Sequence, residues 1–257
     1  MHRIAAHRET PPWRFYPAGC GIRASLRRLL LASLIAFVPA ATPALAGDDT
    51  APESFRAEYR VKYRFFEVGR YFLRLHVSET GAYRYTSVAE PSSFISVFTG
   101  RQLKELSRGQ WQCDGPVPAL YRRSVKKDDG WKDEEVRFDG DAGGSIPADA
   151  LDPASLTLAL MHDAGSGQLR EQYTLVDEDG DVRRYGIRDH GWAEVEAAGR
   201  EWRARKLERE GGNPDYTLTV YLAPALKWLP VRIDYTDKGE AFEMYLVDVE
   251  GRQAVEP

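Results

Sequence analysis

Residues 55–65 read Phe-Arg-Ala-Glu-Tyr-Arg-Val-Lys-Tyr-Arg-Phe, and this alternation constrains the chain more than any other feature. Phe55, Ala57, Tyr59, Val61, Tyr63 and Phe65 alternate with Arg56, Glu58, Arg60, Lys62 and Arg64. In a strand, successive side chains point to opposite faces. One face is therefore apolar and aromatic, and the other is charged and wet. That is the signature of an antiparallel sheet covered on one side. The pattern returns at Tyr71, Leu73, Leu75 and Val77, followed by a turn at 79–82 and a strand at 83–88. Further short strands are expected at 102–106, 120–125, 134–138, 172–176, 182–187, 192–197, 202–208, 216–222, 231–235 and 242–249. Asp-Gly, Lys-Gly, Gly-Gly and Asn-Pro turn signals separate them. The predicted class is all-β: a large antiparallel meander forming a barrel, a half-barrel or a two-sheet sandwich. The 11% aromatic content suits strands.

One segment breaks the pattern. Asp152 suits a helix N-cap, Pro153 its first turn, and Gly165-Ser166-Gly167 its end. The expected helix, about 153–162, carries Leu156, Leu158, Ala159, Leu160 and Met161, which leaves little polar surface. Such a helix is buried, here against the concave side of the sheet.

The first 46 residues read as a cleavable signal peptide. Arg23, Arg27 and Arg28 precede the apolar run Leu29 to Val38, and Ala44-Leu45-Ala46 offers a small-x-small cleavage site. Ten apolar residues are well short of the roughly 20 that span a bilayer. The expected product is exported, periplasmic and not an integral membrane protein. Residues 47–54 would form a flexible leader, 55–251 a single β-rich domain and 252–257 a tail. Cleavage would remove six of 35 Lys+Arg and one of 39 Asp+Glu, leaving a net charge of −9. Such an acidic surface is expected to repel nucleic acid and anionic membrane faces. Of the two cysteines, Cys20 would leave with the signal, so no internal disulfide is expected. Cys113 then reads as a partly buried structural thiol.

No catalytic constellation emerges. His76, His162 and His190 form no HxH, HxxxH or HExxH spacing, so no metal site is expected. The histidines of Asp189-His190 and His162-Asp163 read as solvated. Asp177 to Asp181 is acidic, but its glycine falls fourth rather than sixth, which favours a hairpin turn over a calcium loop. Ser124-Val125-Lys126-Lys127 matches Ser-x-x-Lys, yet its serine falls in a strand and no companion motif follows. No cofactor is implied. The remaining feature is the apolar segment Ser93 to Thr99. Phe94, Val97 and Phe98, with Leu156 and Leu160 of the helix, are the expected lining of a hydrophobic ligand site.

Several stretches together resemble the exported bacterial proteins described as domain of unknown function 3108. They are the strand pair 55–77, Val117-Pro118-Ala119-Leu120-Tyr121, the helix opening Asp152-Pro153-Ala154-Ser155-Leu156, the hairpin around Gly199, and the run Tyr221 to Ile233. Within that run, Leu229-Pro230-Val231-Arg232 follows the family signature, while Tyr221 stands where tryptophan is usual. The resemblance implies a periplasmic β-rich protein and supplies no reaction. Three roles follow for testing: a non-catalytic binding module for a hydrophobic or envelope-derived ligand, a partner-binding protein of envelope assembly, or an envelope hydrolase with dispersed acidic or histidine residues.

Overall fold

The computed structural model describes residues 51–92, 102–127, 130–138, 146–211 and 215–252. Twelve antiparallel strands form one continuous sheet. They are β1 (Phe55–Tyr63), β2 (Phe66–Val77), β3 (Ala82–Pro91), β4 (Leu103–Gln112), β5 (Gly115–Lys127), β6 (Gly130–Arg137), β7 (Gln172–Val176), β8 (Val182–Ala197), β9 (Arg200–Glu210), β10 (Tyr216–Ala223), β11 (Leu229–Asp237) and β12 (Glu240–Glu250). The order across the sheet is β6-β5-β4-β3-β2-β1-β12-β11-β10-β9-β8-β7, so the first and last strands pair at its centre and β6 and β7 are its edges. The sheet curls into a nearly closed barrel. A helix, α1 (Pro153–Ser166), connects the two edge strands and packs against β3, β4, β5 and β7. The all-β class with one buried helix is thus the observed one, as a barrel and not a sandwich.

The alternation at the start of the chain acts as expected through Tyr63. Phe55, Ala57 and Tyr59 are buried, with β12 on one side and β2 on the other. Phe65 departs from it. The strand stops at Tyr63, Arg64 takes a left-handed φ of 56°, and Phe65 stands 95% exposed at the turn. A second departure is β8. The two strands expected at 182–187 and 192–197 are one strand of 16 residues, continuous across a bulge between Asp189 and Trp192 where Gly191 has φ 79°. A bulge absorbs the extra residues without breaking the ladder, so a turn-like sequence was spent inside a strand.

The capping of α1 follows the sequence closely. Asp152 Oδ1 accepts from the backbone N–H of Ala154 (2.9 Å) and Ser155 (2.8 Å), and the Asp152 N–H donates to Ser155 Oγ. These bonds satisfy donors that the first helical turn leaves free. The helix runs four residues past its expected end. Gly167, with φ 69°, is the residue that stops it. Gly165 has a different role. A Cβ there would meet Trp228 Cδ1 at 3.1 Å, so the bare backbone lets the indole lie against the helix. Leu156, Leu158 and Leu160 are all but inaccessible to solvent. Full burial of each such side chain is worth about 1.5–3 kcal/mol.

The β2–β3, β4–β5, β8–β9 and β10–β11 connections lie at one end of the barrel. This end is packed. Trp111 meets His162 of α1 edge-on at 5.6 Å, and the 3-10 turn Pro224–Leu226 buries Leu226. Arg252, which the sequence reading left in the tail, is buried. Its Nη1 donates to the carbonyls of Leu226 and Lys227, and its guanidinium lies 4.4 Å from the Phe55 ring. Burial lowers its pKa to about 10. Cys113 is exposed, contrary to expectation, because it occupies the tight β4–β5 turn, where no sheet face covers it.

Candidate functional site

The β1–β2, β7–β8 and β11–β12 hairpins turn at the other end. There the inner face passes from buried to partly exposed, and the register explains why the exposed layer is aromatic. Tyr63 pairs with Phe66 on one side and Phe242 on the other, Phe242 pairs with Tyr235, and Tyr235 with Leu218. Five strands thus contribute one row: Phe66, Tyr63, Phe242, Tyr235, Leu218. The Tyr63 and Phe242 rings are 5.3 Å apart, within the range of favourable aromatic pairs. Two residues deeper along each strand lies a second row, Val61, Met244, Ile233 and Val220. Ile233 and Val220 are buried in the core and Met244 packs against it. Because side chains alternate, the aromatic row shares this inner face. Among the described residues it forms a partly exposed collar at this end, while α1 packs at the other.

Gly69 lets the collar close. Opposite it, β1 pairs Val61 with Gly69 and then Lys62 with Glu67, which leaves Val68 as a bulge in β2. A Cβ at Gly69 would lie 2.3 Å from the Glu90 carbonyl oxygen. The bulge shifts the alternation of β2 by one residue and brings Phe66 onto the inner face beside Tyr63.

Beneath the collar, β3, β4 and β5 contribute polar groups. Glu105 Oε2 accepts from Ser87 Oγ (2.8 Å), and Oε1 from Tyr121 Oη (2.6 Å). Arg123, the register partner of Glu105, donates from Nη1 to Glu178 Oε1 (2.9 Å) and approaches Glu134 Oε2 (3.5 Å). Glu178 belongs to the β7–β8 turn, so this bond spans the seam between the sheet's edges. Further in, Ser107 Oγ donates to Asp152 Oδ2 (2.6 Å) and bonds Tyr83 Oη (3.0 Å). Burial pushes the Asp152 carboxyl up to about 6, although its hydrogen bonds from Ser107 and Ser155 favour the anion. Tyr121 is pushed far above the ordinary tyrosine range by burial and by the charge of Glu105, and Tyr71 is raised by the same two causes. The Tyr121 hydroxyl thus keeps its proton and donates it to Glu105. The described residues thus set a partly exposed aromatic row above a few placed polar groups, a combination that ligand sites use.

Of the residues expected to line a hydrophobic site, Leu156 and Leu160 lie on α1 within the packed core. Phe94, Val97 and Phe98 lie outside the described residues. The strands that their segment joins end at Pro91 and begin at Leu103, on the collar's end of the barrel. The histidines occupy three different elements. His76 is exposed on β2, and His190 is exposed at the β8 bulge, bonded to Glu208 Oε2 at 2.6 Å. His162 is half-buried against Trp111, not solvated, because the pair His162-Asp163 lies in α1 and not in a strand. Asp163, missed by sequence reasoning, is buried and accepts from Tyr173 Oη (2.5 Å) and Arg170 Nε (2.7 Å). Among the described residues, no group of three or more His, Cys, Asp or Glu could hold a metal ion. Glu105 was likewise missed. Its signal was a carboxylate in phase with Leu103 and Ser107 on an inner face, visible only once β4 was known to extend to Gln112.

The family described as "Protein of unknown function (DUF3108)" matches residues 58–247. The chain belongs to this family. Within the matched range Arg232 faces outward, between the rings of Tyr221 (5.1 Å) and Tyr245 (5.0 Å), and bonds Asp234 and Glu243. It forms a cation–π and ion-pair clamp across β10, β11 and β12. No curated protein matches the chain. Among solved structures it is similar to the beta-barrel-like protein of domain of unknown function DUF1849 from Brucella abortus, at 12% identity over 79% of this chain and 99% of that one, with a TM-score of 0.49. It is similar to MucB, in complex with MucA(peri), at 14% identity over 80% of this chain, with a TM-score of 0.30; the match spans 52% of the MucB chain. A putative outer membrane lipoprotein-sorting protein domain from Vibrio parahaemolyticus is similar at 11% identity over 82% of this chain and 90% of that one, with a TM-score of 0.30.

Proposed function

We propose that this protein is an exported, non-catalytic binding module that takes a hydrophobic or envelope-derived ligand at the collar end of its barrel. The observation that carries the reading is the row Phe66, Tyr63, Phe242, Tyr235 and Leu218, set in register across five strands on the inner face and left partly exposed or exposed. One exposed phenylalanine beside four half-buried aromatic or apolar side chains in one row is a surface that an apolar ligand can cover with gain. Met244 and Val61 supply the apolar layer beneath. Glu105, with Ser87 and Tyr121, supplies polar groups that can orient one end of a ligand. Export is supported by the basic, apolar and Ala-Leu-Ala segments of residues 23–46. Among the described residues, no helix is long and apolar enough to cross a membrane.

The test combines extraction and competition. Organic extracts of natively purified protein are analysed by mass spectrometry, and the stripped protein is titrated with the neutral apolar fluorophore N-phenyl-1-naphthylamine. The reading expects an extractable apolar molecule and saturable probe binding. It also expects weakened probe binding in Phe66→Ser, at the exposed member of the row, with thermal stability retained. A folded protein with no extractable molecule and no probe binding would overturn it.

A further inference from the structure

The collar has an outward extension. At the β1–β2 turn, Phe65 is 95% exposed and Phe66 71%, the two most exposed large apolar side chains among the described residues. Phe66 continues the collar, whereas Phe65 lies beyond the end of β1 in the turn and joins no cross-strand pair. The turn carries a small excess of cations, although the chain as a whole is acidic. Residues 60–70 and the adjacent β11–β12 connection, 237–243, hold Arg60, Lys62, Arg64, Arg70 and Lys238 against Glu67, Asp237, Glu240 and Glu243, and Glu243, the register partner of Lys62, is bonded by Arg232. Glu67 is already engaged by Arg70 at 3.2 Å and by Arg60 at 3.9 Å. Arg64 and Lys62 lie over the rings of Tyr63 and Tyr245, at 5.3 Å and 5.1 Å, and make no ion pair among the described residues.

We infer that the β1–β2 turn is a lipid-contact site, with Phe65 entering the interface of an anionic phospholipid bilayer and Arg64 and Lys62 meeting its headgroups. Two phenylalanines on a tight turn offer far less area than the roughly 800 Å² per partner of a stable protein interface. They are well shaped for the boundary between headgroups and acyl chains, where apolar insertion and electrostatic attraction add. The contact would set the aromatic collar against the membrane surface, so that an apolar ligand could pass between bilayer and barrel without crossing water. That last step rests on the binding reading above; the contact itself does not.

The full chain carrying Phe65→benzoylphenylalanine is photolysed with vesicles of phosphatidylglycerol and phosphatidylethanolamine, and lipid adducts are quantified by mass spectrometry. Val247→benzoylphenylalanine is the control, because Val247 is exposed but lies on β12 away from the turn. This comparison is unaffected by any vesicle attachment through the apolar run 29–38. Adducts at position 65 are expected at about tenfold or more the yield at 247, falling when Arg64→Glu is added. Equal yields at the two positions would overturn the inference, as would crosslinking of position 65 to protein in place of lipid. Phe65→Ser should bind N-phenyl-1-naphthylamine as the wild type does. Probe binding without lipid adducts would therefore defeat the contact and leave the binding reading standing.

Discussion

Asp152 offers a direct measure of how burial and hydrogen bonding compete inside the barrel. Its carboxyl is fully buried and accepts from Ser107 Oγ, Ala154 N–H and Ser155 N–H. Those donors, and the N-terminus of α1, favour the charged form. Burial opposes them and prevails, raising the carboxyl from 3.8 to about 6. In the unfolded chain the group loses its proton near 3.8; in the native state it holds the proton to about 6. Between these values the native state binds more protons, so stability falls as pH rises through the window. The difference corresponds to about 3 kcal/mol, present below pH 3.8 and lost above pH 6. Asp152→Asn keeps an acceptor for the helix N–H groups and does not titrate. The assay is urea unfolding of both proteins from pH 4 to pH 7, followed by tryptophan fluorescence. Subtracting the two curves cancels the other carboxylates. The wild type should lose about 3 kcal/mol relative to Asp152→Asn across this range, or roughly 6–12 °C in Tm for a domain of this size. A flat difference, or a wild type that gains with pH, would refute the reasoning, because the hydrogen bonds and helix dipole would then outweigh desolvation.

Other positions test the packing that shapes the site. Leu158→Ala, at a fully buried position of α1, should cost about 2–5 kcal/mol in chemical denaturation, from lost burial and the cavity left behind. Gly69→Ala places a Cβ 2.3 Å from the Glu90 carbonyl; the expected result is a clear loss of stability by thermal unfolding, and probe binding should weaken as the bulge that presents Phe66 is displaced. Arg232→Lys keeps the charge but loses the planar group held between Tyr221 and Tyr245, which should lower stability by roughly 1 kcal/mol while leaving probe binding at the inner face unchanged.

Much of the architecture was legible in the chain because it is local. The two-residue period of residues 55–63 fixes a buried face wherever that strand is placed, and Tyr71, Leu73 and Leu75 do the same for β2. Asp152, Pro153 and Gly167 start and stop α1 through hydrogen bonds and φ angles within a few residues. The turn at 177–181 forms as its composition implies, with Asp177 Oδ1 accepting from the N–H of Asp179 and Asp181. Local rules also misled where a bulge intervened, as at Asp189 to Trp192, since a bulge resembles a turn in composition yet keeps the strand paired.

The collar belongs to the tertiary structure. Tyr63, Phe242, Tyr235 and Leu218 were each in recognisable strands or strand signals, but alternation says which face a side chain takes and not which residue stands beside it. Register does that, and here it depends on the bulge at Val68 and on the pairing of β1 with β12, which brings together strands nearly the whole domain apart in sequence. The same holds for Glu105 and Asp163. A single carboxylate in a strand or helix reads as solvated until a neighbour such as Tyr121 or Tyr173 is placed over it. The chain thus dictated a one-sided antiparallel sheet and a capped apolar helix, because those depend on periodicity and near neighbours. The closing of that sheet around the helix at one end, with an aromatic row at the other, was decided by long-range pairing.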